Sequence, residues 1–288
     1  WTLAGFCDSY AQPGKPDDPF FPEFQLRKIH PLSNDTGWHL RYIADAAPEH
    51  VDRLLVRQLA HGTIGHLYGV YGGPPPREIG FHTLKSYYIM NQTQKFYAGI
   101  PIAAIRYYDG KQMLDAEAAI AAGIIGRNQI YLKYANGLEV YANGNSEANW
   151  TVAAGGSEYL LPPDGYLAIL PGKLLTYSAL RDGRRVDFSQ GPEYLFANGG
   201  GRPVDFGPIA CANAYAINWE DGAVNIVPLP FTAPETIAVR IDALPVKPGK
   251  TLEMLDASGK VMETGAVAVR DGRLEIAVKA NGFSYRIK

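Results

Sequence analysis

The stretch 129–144 constrains the fold more than any other part of the sequence. Apolar and polar residues alternate along Gln129–Tyr134 and Leu138–Gly144, and the segment between them contains Asn136 and Gly137. A period of two residues is typical of a half-buried β-strand, and an Asn-Gly pair tolerates the positive φ angles of a type I′ turn. The stretch therefore predicts a β-hairpin that opens a β-sandwich.

More strands are predicted on the carboxyl-terminal side of this hairpin. Residues 158–170 give two strands around the turn sequence Pro-Pro-Asp-Gly at 162–165. Beyond residue 178, Asp-Gly and Asn-Gly pairs separate short apolar strands without a helical period between them, which is typical of a sandwich or barrel. The strands after residue 230 predict a second, smaller β-sandwich.

The residues before the hairpin alternate strand and helix patterns instead. Trp1–Cys7 and Gly62–Val70 are runs of the kind found in buried parallel strands, and helices are predicted from Pro48 onward and over Glu78–Ala98. Repeated strand, loop and helix form the β/α unit that builds parallel barrels, although two units cannot close a barrel. Residues 100–126 are predicted to connect this region to the hairpin.

The composition argues against several classes of protein. The chain of 288 residues has a net charge of -2 and no basic run, which argues against nucleic acid or an anionic membrane as the main partner. No apolar run approaches the roughly 20 residues of a membrane helix, and no phosphate-binding loop, dinucleotide fingerprint or Gly-x-Ser-x-Gly motif is present. Cys7 and Cys211 fit no metal-ligand spacing and are expected to be buried free thiols; no metal and no cofactor are predicted.

The order of these parts resembles the carboxyl-terminal half of multi-domain bacterial glycoside hydrolases. The resemblance is carried by Asp8 after the first strand, His61–Gly69 as a last barrel strand, the helix around Tyr87–Asn91, and Ile130–Val140 at the start of the sandwich. The layout is similar to that of endo-acting α-N-acetylgalactosaminidases and related bacterial enzymes. It implies an α+β multi-domain fold: the last β/α units of a (β/α)8-type barrel (1–99), a connector (100–126), and two antiparallel β-sandwich domains (127–230 and 231–288).

The resemblance also implies a function. A secreted or periplasmic enzyme that hydrolyses O-glycosidic bonds of a glycan or oligosaccharide without a cofactor is expected, and a carbohydrate is then its substrate. A companion chain or a missing N-terminal portion would complete the barrel and supply at least one catalytic carboxylate. The alternative is a non-catalytic carbohydrate-binding or assembly module of the β-sandwich type, with the β/α segment as its platform.

Two carboxylates are candidates for catalysis. Glycoside hydrolysis generally uses two carboxyl groups about 5 to 10 Å apart, placed in a barrel at the edge where the strands end. Asp8 directly follows the first predicted strand and is the candidate acid/base or sugar ligand; capping of a turn is the alternative role. Glu78 is the second candidate, and its alternative role is to stabilise the start of a helix through the helix dipole.

Aromatic residues on the loops at that edge are candidates for sugar binding. The C–H faces of a pyranose are apolar and stack on aromatic rings, which also provide large contact areas. The candidate substrate-binding residues are Tyr10, Phe20, Phe21, Trp38, His66, Tyr68 and Tyr71. Loop packing is the alternative role of the aromatic side chains, and a core or rim position is the alternative for His66.

Overall fold

The fold is taken from a computed structural model that describes residues 19–27, 36–39, 51–66, 77–220, 222–247 and 249–288. Within these ranges, the side chains of residues 24, 25, 36–39, 65, 66 and 77–79 are not described. The chain divides into two compact units, Trp1–Gly183 (unit 1) and Arg184–Lys288 (unit 2). β-sheet is the main secondary structure, and most strands pair in the antiparallel direction.

Unit 1 begins with a mixed helical and parallel region. Its elements are α1 (Glu23–Leu26), β1 (Thr36–His39), α2 (Val51–His61), β2 (Ile64–His66) and α3 (Arg77–Gln94). Strands β1 and β2 pair in parallel, with Thr36 opposite Ile64 and His39 opposite His66. Helix α2 lies between them in the chain, so the three elements form one β-α-β unit.

An antiparallel sheet forms the rest of unit 1. Its strands are β3 (Ile102–Tyr108), β4 (Met113–Leu114), β5 (Gln129–Tyr134), β6 (Glu139–Asn143), β7 (Trp150–Ala154), β8 (Ser157–Leu161), β9 (Gly165–Leu170) and β10 (Leu174–Arg181), with helix α4 (Ala116–Ala121) after β4. The strand order is β4-β3-β5-β6-β9-β10; β8 pairs with β10, and β7 pairs with β8. The two strands around Pro-Pro-Asp-Gly are present, but they pair with other strands and not with each other.

One face of this sheet carries the core of unit 1. The cross-strand neighbours Ile105, Leu132, Val140, Ala168 and Thr176 are all fully buried. Helix α2 packs against β5, β6 and β9, and helix α3 packs against β10. Because side chains alternate between the two faces of a strand, the residues between these positions point to the opposite face.

The turn of the β5-β6 hairpin differs from the predicted type I′ turn. Gly137 has a positive φ of 89°, whereas Asn136 does not have a positive φ. A type I′ turn needs positive φ at both central residues. The side chain of Asn136 instead accepts a hydrogen bond from the Leu138 N–H (3.1 Å) and donates one to the Phe96 carbonyl (2.7 Å). These contacts hold Asn136 in the ordinary backbone region, so only Gly137 adopts the left-handed conformation.

Unit 2 is made of two antiparallel sheets. Its strands are β11 (Arg184–Gln190), β12 (Tyr194–Asn198), β13 (Val204–Asp205), β14 (Ile209–Cys211), β15 (Ala214–Glu220), β16 (Ala223–Pro228), β17 (Glu235–Arg240), β18 (Thr251–Leu255), β19 (Val261–Ala266), β20 (Ala268–Arg270), β21 (Arg273–Val278) and β22 (Ser284–Ile287). One sheet has the order β19-β18-β22-β16-β15-β12-β11, and the other has the order β13-β14-β17-β21-β20.

A carboxylate ties the strands of unit 2 together near its core. The Glu235 side chain, at the start of β17, accepts hydrogen bonds from the backbone N–H groups of Ala212 (2.8 Å) and Asn213 (2.9 Å) and from the Tyr215 hydroxyl (2.9 Å). Cys211 lies beside this cluster as a buried free thiol, as expected. Cys7 lies outside the described residues.

The structure confirms part of the expected fold class. The antiparallel, sheet-rich character after residue 126 is confirmed. Among the described residues before 126, only β1 and β2 pair in parallel, so a barrel is not shown. The boundaries predicted at 126 and 230 stay predictions, and the boundary between the compact units falls at 183.

Candidate functional site

Neither of the two catalytic candidates, Asp8 and Glu78, has a described side chain. Asp8 is outside the described residues. Glu78 lies in the first turn of helix α3, which follows the parallel strand β2, and its side chain is not described. This position is consistent both with the edge where parallel strands end and with stabilisation of the helix dipole.

Two of the sugar-binding candidates lie on neighbouring parallel strands. Trp38 is in β1 and His66 is the last residue of β2, and the residue after Trp38 pairs with His66. The backbone therefore brings these two positions to the carboxyl ends of adjacent strands. Tyr10, Tyr68 and Tyr71 lie outside the described residues.

The two phenylalanine candidates have different surroundings. Phe20 is fully buried, its ring meets the His61 ring edge-on at 5.6 Å, and the guanidinium of Arg53 lies 4.7 Å from its centre. Its ring has no exposed face for a sugar, so the packing alternative describes this residue. Phe21 is half-buried and stacks on Tyr107 with ring centres 6.0 Å apart.

A different group of side chains forms an open polar and aromatic surface on unit 1. It lies on the sheet face opposite helices α2 and α3, and we call it the tyrosine face. Its residues are Arg106 and Tyr108 of β3, Tyr131 and Lys133 of β5, and Glu139 and Tyr141 of β6, with Trp150 of β7 at one end. Arg106 is opposite Tyr131, and Tyr131 is opposite Tyr141, so the three side chains stand in one row across three strands.

The aromatic rings of the tyrosine face contact each other in series. The ring centres of Tyr131 and Tyr141 are 4.9 Å apart, and Trp150 meets Tyr141 edge-on at 5.9 Å. Trp150 also stacks on Tyr108 at 5.2 Å with an interplanar angle of 19°. Trp150 is buried, whereas the three tyrosines are half-buried. The tyrosines therefore keep part of their rings accessible while their neighbours fix the ring orientations.

Glu139 holds the two central tyrosines by their hydroxyl groups. Its Oε1 accepts a hydrogen bond from the Tyr131 hydroxyl at 3.1 Å, and its Oε2 accepts one from the Tyr141 hydroxyl at 3.3 Å. Burial, followed by the charge of Glu139, raises the pKa of Tyr131 to about 12, and the same causes raise the pKa of Tyr141 further. Both phenols are therefore neutral donors to Glu139 near neutral pH, and their oxygen lone pairs stay available to accept hydrogen bonds.

Two cations accompany the single carboxylate of this face. Lys133 Nζ lies 3.3 Å from Glu139 Oε1, which compensates the carboxylate. Arg106 donates from Nη1 to the carbonyl of Ile105 at 2.9 Å, and among the described residues it forms no ion pair. The face therefore combines flat aromatic surface, hydroxyl acceptors and an uncompensated guanidinium.

A cavity on unit 2 differs from the tyrosine face because it is lined by no uncompensated cation. It has a volume of about 550 Å³ and is lined by Glu220, Gly222, Ala223, Asn225, Arg286 and Lys288. Arg286 Nη2 lies 2.7 Å from Glu253 Oε2, and Lys288 Nζ lies 3.1 Å from Glu253 Oε1. Both cations thus have a carboxylate partner, and these lining residues include no aromatic side chain.

The tyrosine face by itself supports ligand binding more directly than bond cleavage. The tyrosine face holds one carboxylate, and both of its oxygens accept hydrogen bonds from tyrosines, whereas glycoside hydrolysis generally uses two carboxyl groups. Within the described part of the chain, no cluster of three or more His, Cys, Asp or Glu side chains is arranged to hold a metal ion. None of the described helices is long and apolar enough to cross a membrane.

The sequence signal for the tyrosine face lies in its strands and not in its loops. The alternation that predicts β5 and β6 also places Tyr131, Lys133, Glu139 and Tyr141 on the face opposite the apolar residues. Their proximity follows from the hairpin register alone. The contributions of Arg106 and Trp150 depend on the pairing of β3 with β5 and on the position of β7, which no local pattern indicates.

No protein-family model matches the chain, and no curated protein matches it either.

Proposed function

We propose that this chain is the carboxyl-terminal portion of a glycoside hydrolase that cleaves O-glycosidic bonds of a glycan or oligosaccharide. The proposal is supported by the order of the parts, a parallel β-α-β unit followed by antiparallel sheets, which is the order expected from the resemblance. The tyrosine face supports a saccharide as the ligand, because half-buried, oriented aromatic rings and hydroxyl groups match the apolar and polar faces of a sugar. A secreted or periplasmic location suits a glycan substrate and is part of the proposal.

The proposed catalytic centre lies at the carboxyl ends of the parallel strands. Asp8 is the proposed acid/base or sugar ligand, and the positions of Trp38 and His66 on adjacent strands supply two substrate-binding candidates at that edge. Two parallel strands cannot enclose a barrel, so the proposal requires further strands and a second carboxylate from a companion chain or another segment of the protein.

An activity assay with a charge-neutral variant tests this proposal. The full-length protein, purified together with any companion chain and supplied with aryl glycosides of several sugars, is expected to release the aryl group. Asp8→Asn is expected to lower kcat/KM by roughly 100-fold or more, as for loss of a general acid or base. Asp17→Asn is the matched control, because it makes the same change nine residues further along the chain. Wild-type activity in Asp8→Asn would contradict the role of Asp8, and the absence of release from every glycoside would contradict the enzyme proposal.

A non-catalytic carbohydrate-binding module is the second candidate. The tyrosine face favours it specifically, because this face provides recognition groups without a second carboxylate. Saccharide binding that is unchanged in Asp8→Asn, in a protein that releases no sugar, would favour the module over the hydrolase.

A further inference from the structure

We infer that the tyrosine face binds an acidic saccharide, with the sugar rings against Tyr131 and Tyr141 and a carboxylate of the sugar paired with Arg106. This inference rests on the proposed function, since it takes the ligand to be a saccharide, and it adds the charge class of that ligand.

The charges of the face carry the inference. Its ionised side chains are Arg106, Lys133 and Glu139, and Lys133 is within ion-pair distance of Glu139. Arg106 contributes the remaining positive charge, and it donates to the neutral carbonyl of Ile105. Arg106 is half-buried, is the cross-strand neighbour of Tyr131, and has no carboxylate partner among the described residues. Such a guanidinium is complementary to a planar anion that can bind two of its N–H groups.

Arg106 lies close enough to the tyrosine rings for a single ligand to contact both. Arg106 is the direct cross-strand neighbour of Tyr131, so their Cβ atoms stand about 4.5 to 5.5 Å apart on one face. The positive charge of Arg106 acts on the Tyr131 hydroxyl and opposes the rise in the pKa of Tyr131. In the proposed complex, a uronate ring stacks on Tyr131, and its C5 carboxylate pairs with the guanidinium of the neighbouring Arg106.

The preference for an acidic over a neutral sugar also depends on the charge of Glu139. Its carboxylate accepts hydrogen bonds from two neutral tyrosine hydroxyls, and Lys133 offsets its charge, so Arg106 supplies the net positive charge of the face. An acidic sugar gains a charge-assisted hydrogen bond from Arg106, whereas a neutral sugar gains stacking alone.

The test compares an acidic saccharide with its neutral counterpart. Isothermal titration calorimetry with tri-galacturonic acid and with galactotriose is expected to give a Kd at least about tenfold lower for the acidic ligand, which is the strength of one charge-assisted hydrogen bond. Arg106→Gln is expected to remove this difference, and Arg106→Lys is expected to retain part of it. The difference is also expected to shrink at about 0.5 M salt because ions screen the pair.

Arg181→Gln is the matched control. Arg181 also contacts a tyrosine of unit 1, since Arg181 Nη2 donates to the Tyr177 hydroxyl at 3.0 Å, but Tyr177 is buried and lies two strands beyond Tyr141 in the sheet. Circular dichroism of each variant checks that the sheet is intact, and Arg106→Lys provides a second reading if Arg106→Gln fails to fold.

Each outcome separates this inference from the proposed function. Equal affinity for the two ligands, or a preference that survives in Arg106→Gln, overturns the inference and leaves the hydrolase proposal intact. Absence of binding to both ligands in a protein that releases sugar from glycosides also overturns the inference alone. Absence of both binding and hydrolysis overturns both.

Discussion

Phe20 and Tyr131 are both aromatic residues, but their surroundings differ. Phe20 fits closely against Gly144, where even a Cβ atom would come within 3 Å of the Phe20 ring, and the ring is fully buried. Tyr131 is half-buried on an open sheet face with its hydroxyl anchored by Glu139. The sequence alone places Phe20 in an aromatic loop but does not reveal that this residue packs onto helix α2. Tyr131, in contrast, has its face fixed by strand alternation.

His61 is a buried residue whose protonation is expected to control stability in acid. Burial, the main cause, lowers the pKa of His61 to about 4 from its usual 6.5, and its neutral ring donates from Nδ1 to the Arg57 carbonyl at 2.9 Å. Between pH 6.5 and 4 the unfolded chain binds a proton that the folded chain does not, so stability falls as pH falls through this window. We predict that His61 contributes a loss of about 3 kcal/mol between about pH 7 and pH 4.

Urea unfolding of the wild type and of His61→Gln at both pH values measures this contribution. The pH dependence of the unfolding free energy is expected to be weaker in the variant by that amount. His82→Gln makes the same change at a half-buried histidine and is the control for the substitution itself. Equal pH dependence of His61→Gln and the wild type would contradict the assignment.

At the scale of elements, the β5-β6 hairpin depends on one glycine. Gly137 has a φ of 89°, and its N–H donates to the Tyr134 carbonyl at 2.9 Å to close the turn. A side chain in this conformation costs roughly 1 to 2 kcal/mol. We therefore predict that Gly137→Ala lowers the unfolding free energy by about that amount, measured by urea denaturation.

Gly126→Ala is the control for this prediction. Gly126 is exposed, does not have a positive φ, and has no neighbouring atom within 4 Å of the place that an alanine methyl group would occupy. Its substitution is expected to change stability by less than about 0.5 kcal/mol. Similar losses in the two variants would show that the turn geometry is not the cause.

Hairpins and long helices could be predicted from the sequence because their signals are local. Helices α2 and α3 and strands β5 and β6 follow the predicted segments closely, and Asp271-Gly272 forms a turn with positive φ at both residues between β20 and β21. Strand β1 is not predicted because its four residues, Thr-Gly-Trp-His at 36–39, do not alternate between apolar and polar side chains. The pairing of β8 with β10 is not predictable either, since partners distant in sequence are chosen by packing.

At the scale of the whole molecule, the sequence predicts a change from β/α to β structure, and the structure agrees at that level. The parallel pair β1-β2 precedes the antiparallel sheets in the chain, as the predicted order requires. A barrel is not shown by the described residues, and the catalytic role proposed for Asp8 depends on one. The tyrosine face is formed by described residues of unit 1, so the proposed recognition of a saccharide can be tested without reference to the barrel.

The measurement that tests this recognition most directly is the affinity of the Tyr131→Ala, Tyr141→Ala double variant for the oligosaccharide that the wild-type protein binds most tightly in a glycan array. We predict a Kd raised at least about tenfold, with no change in Tyr159→Ala, a half-buried tyrosine of β8 that packs on Tyr177. An unchanged Kd in the folded double variant, or an equal loss in Tyr159→Ala, would contradict the claim that the tyrosine face binds saccharide.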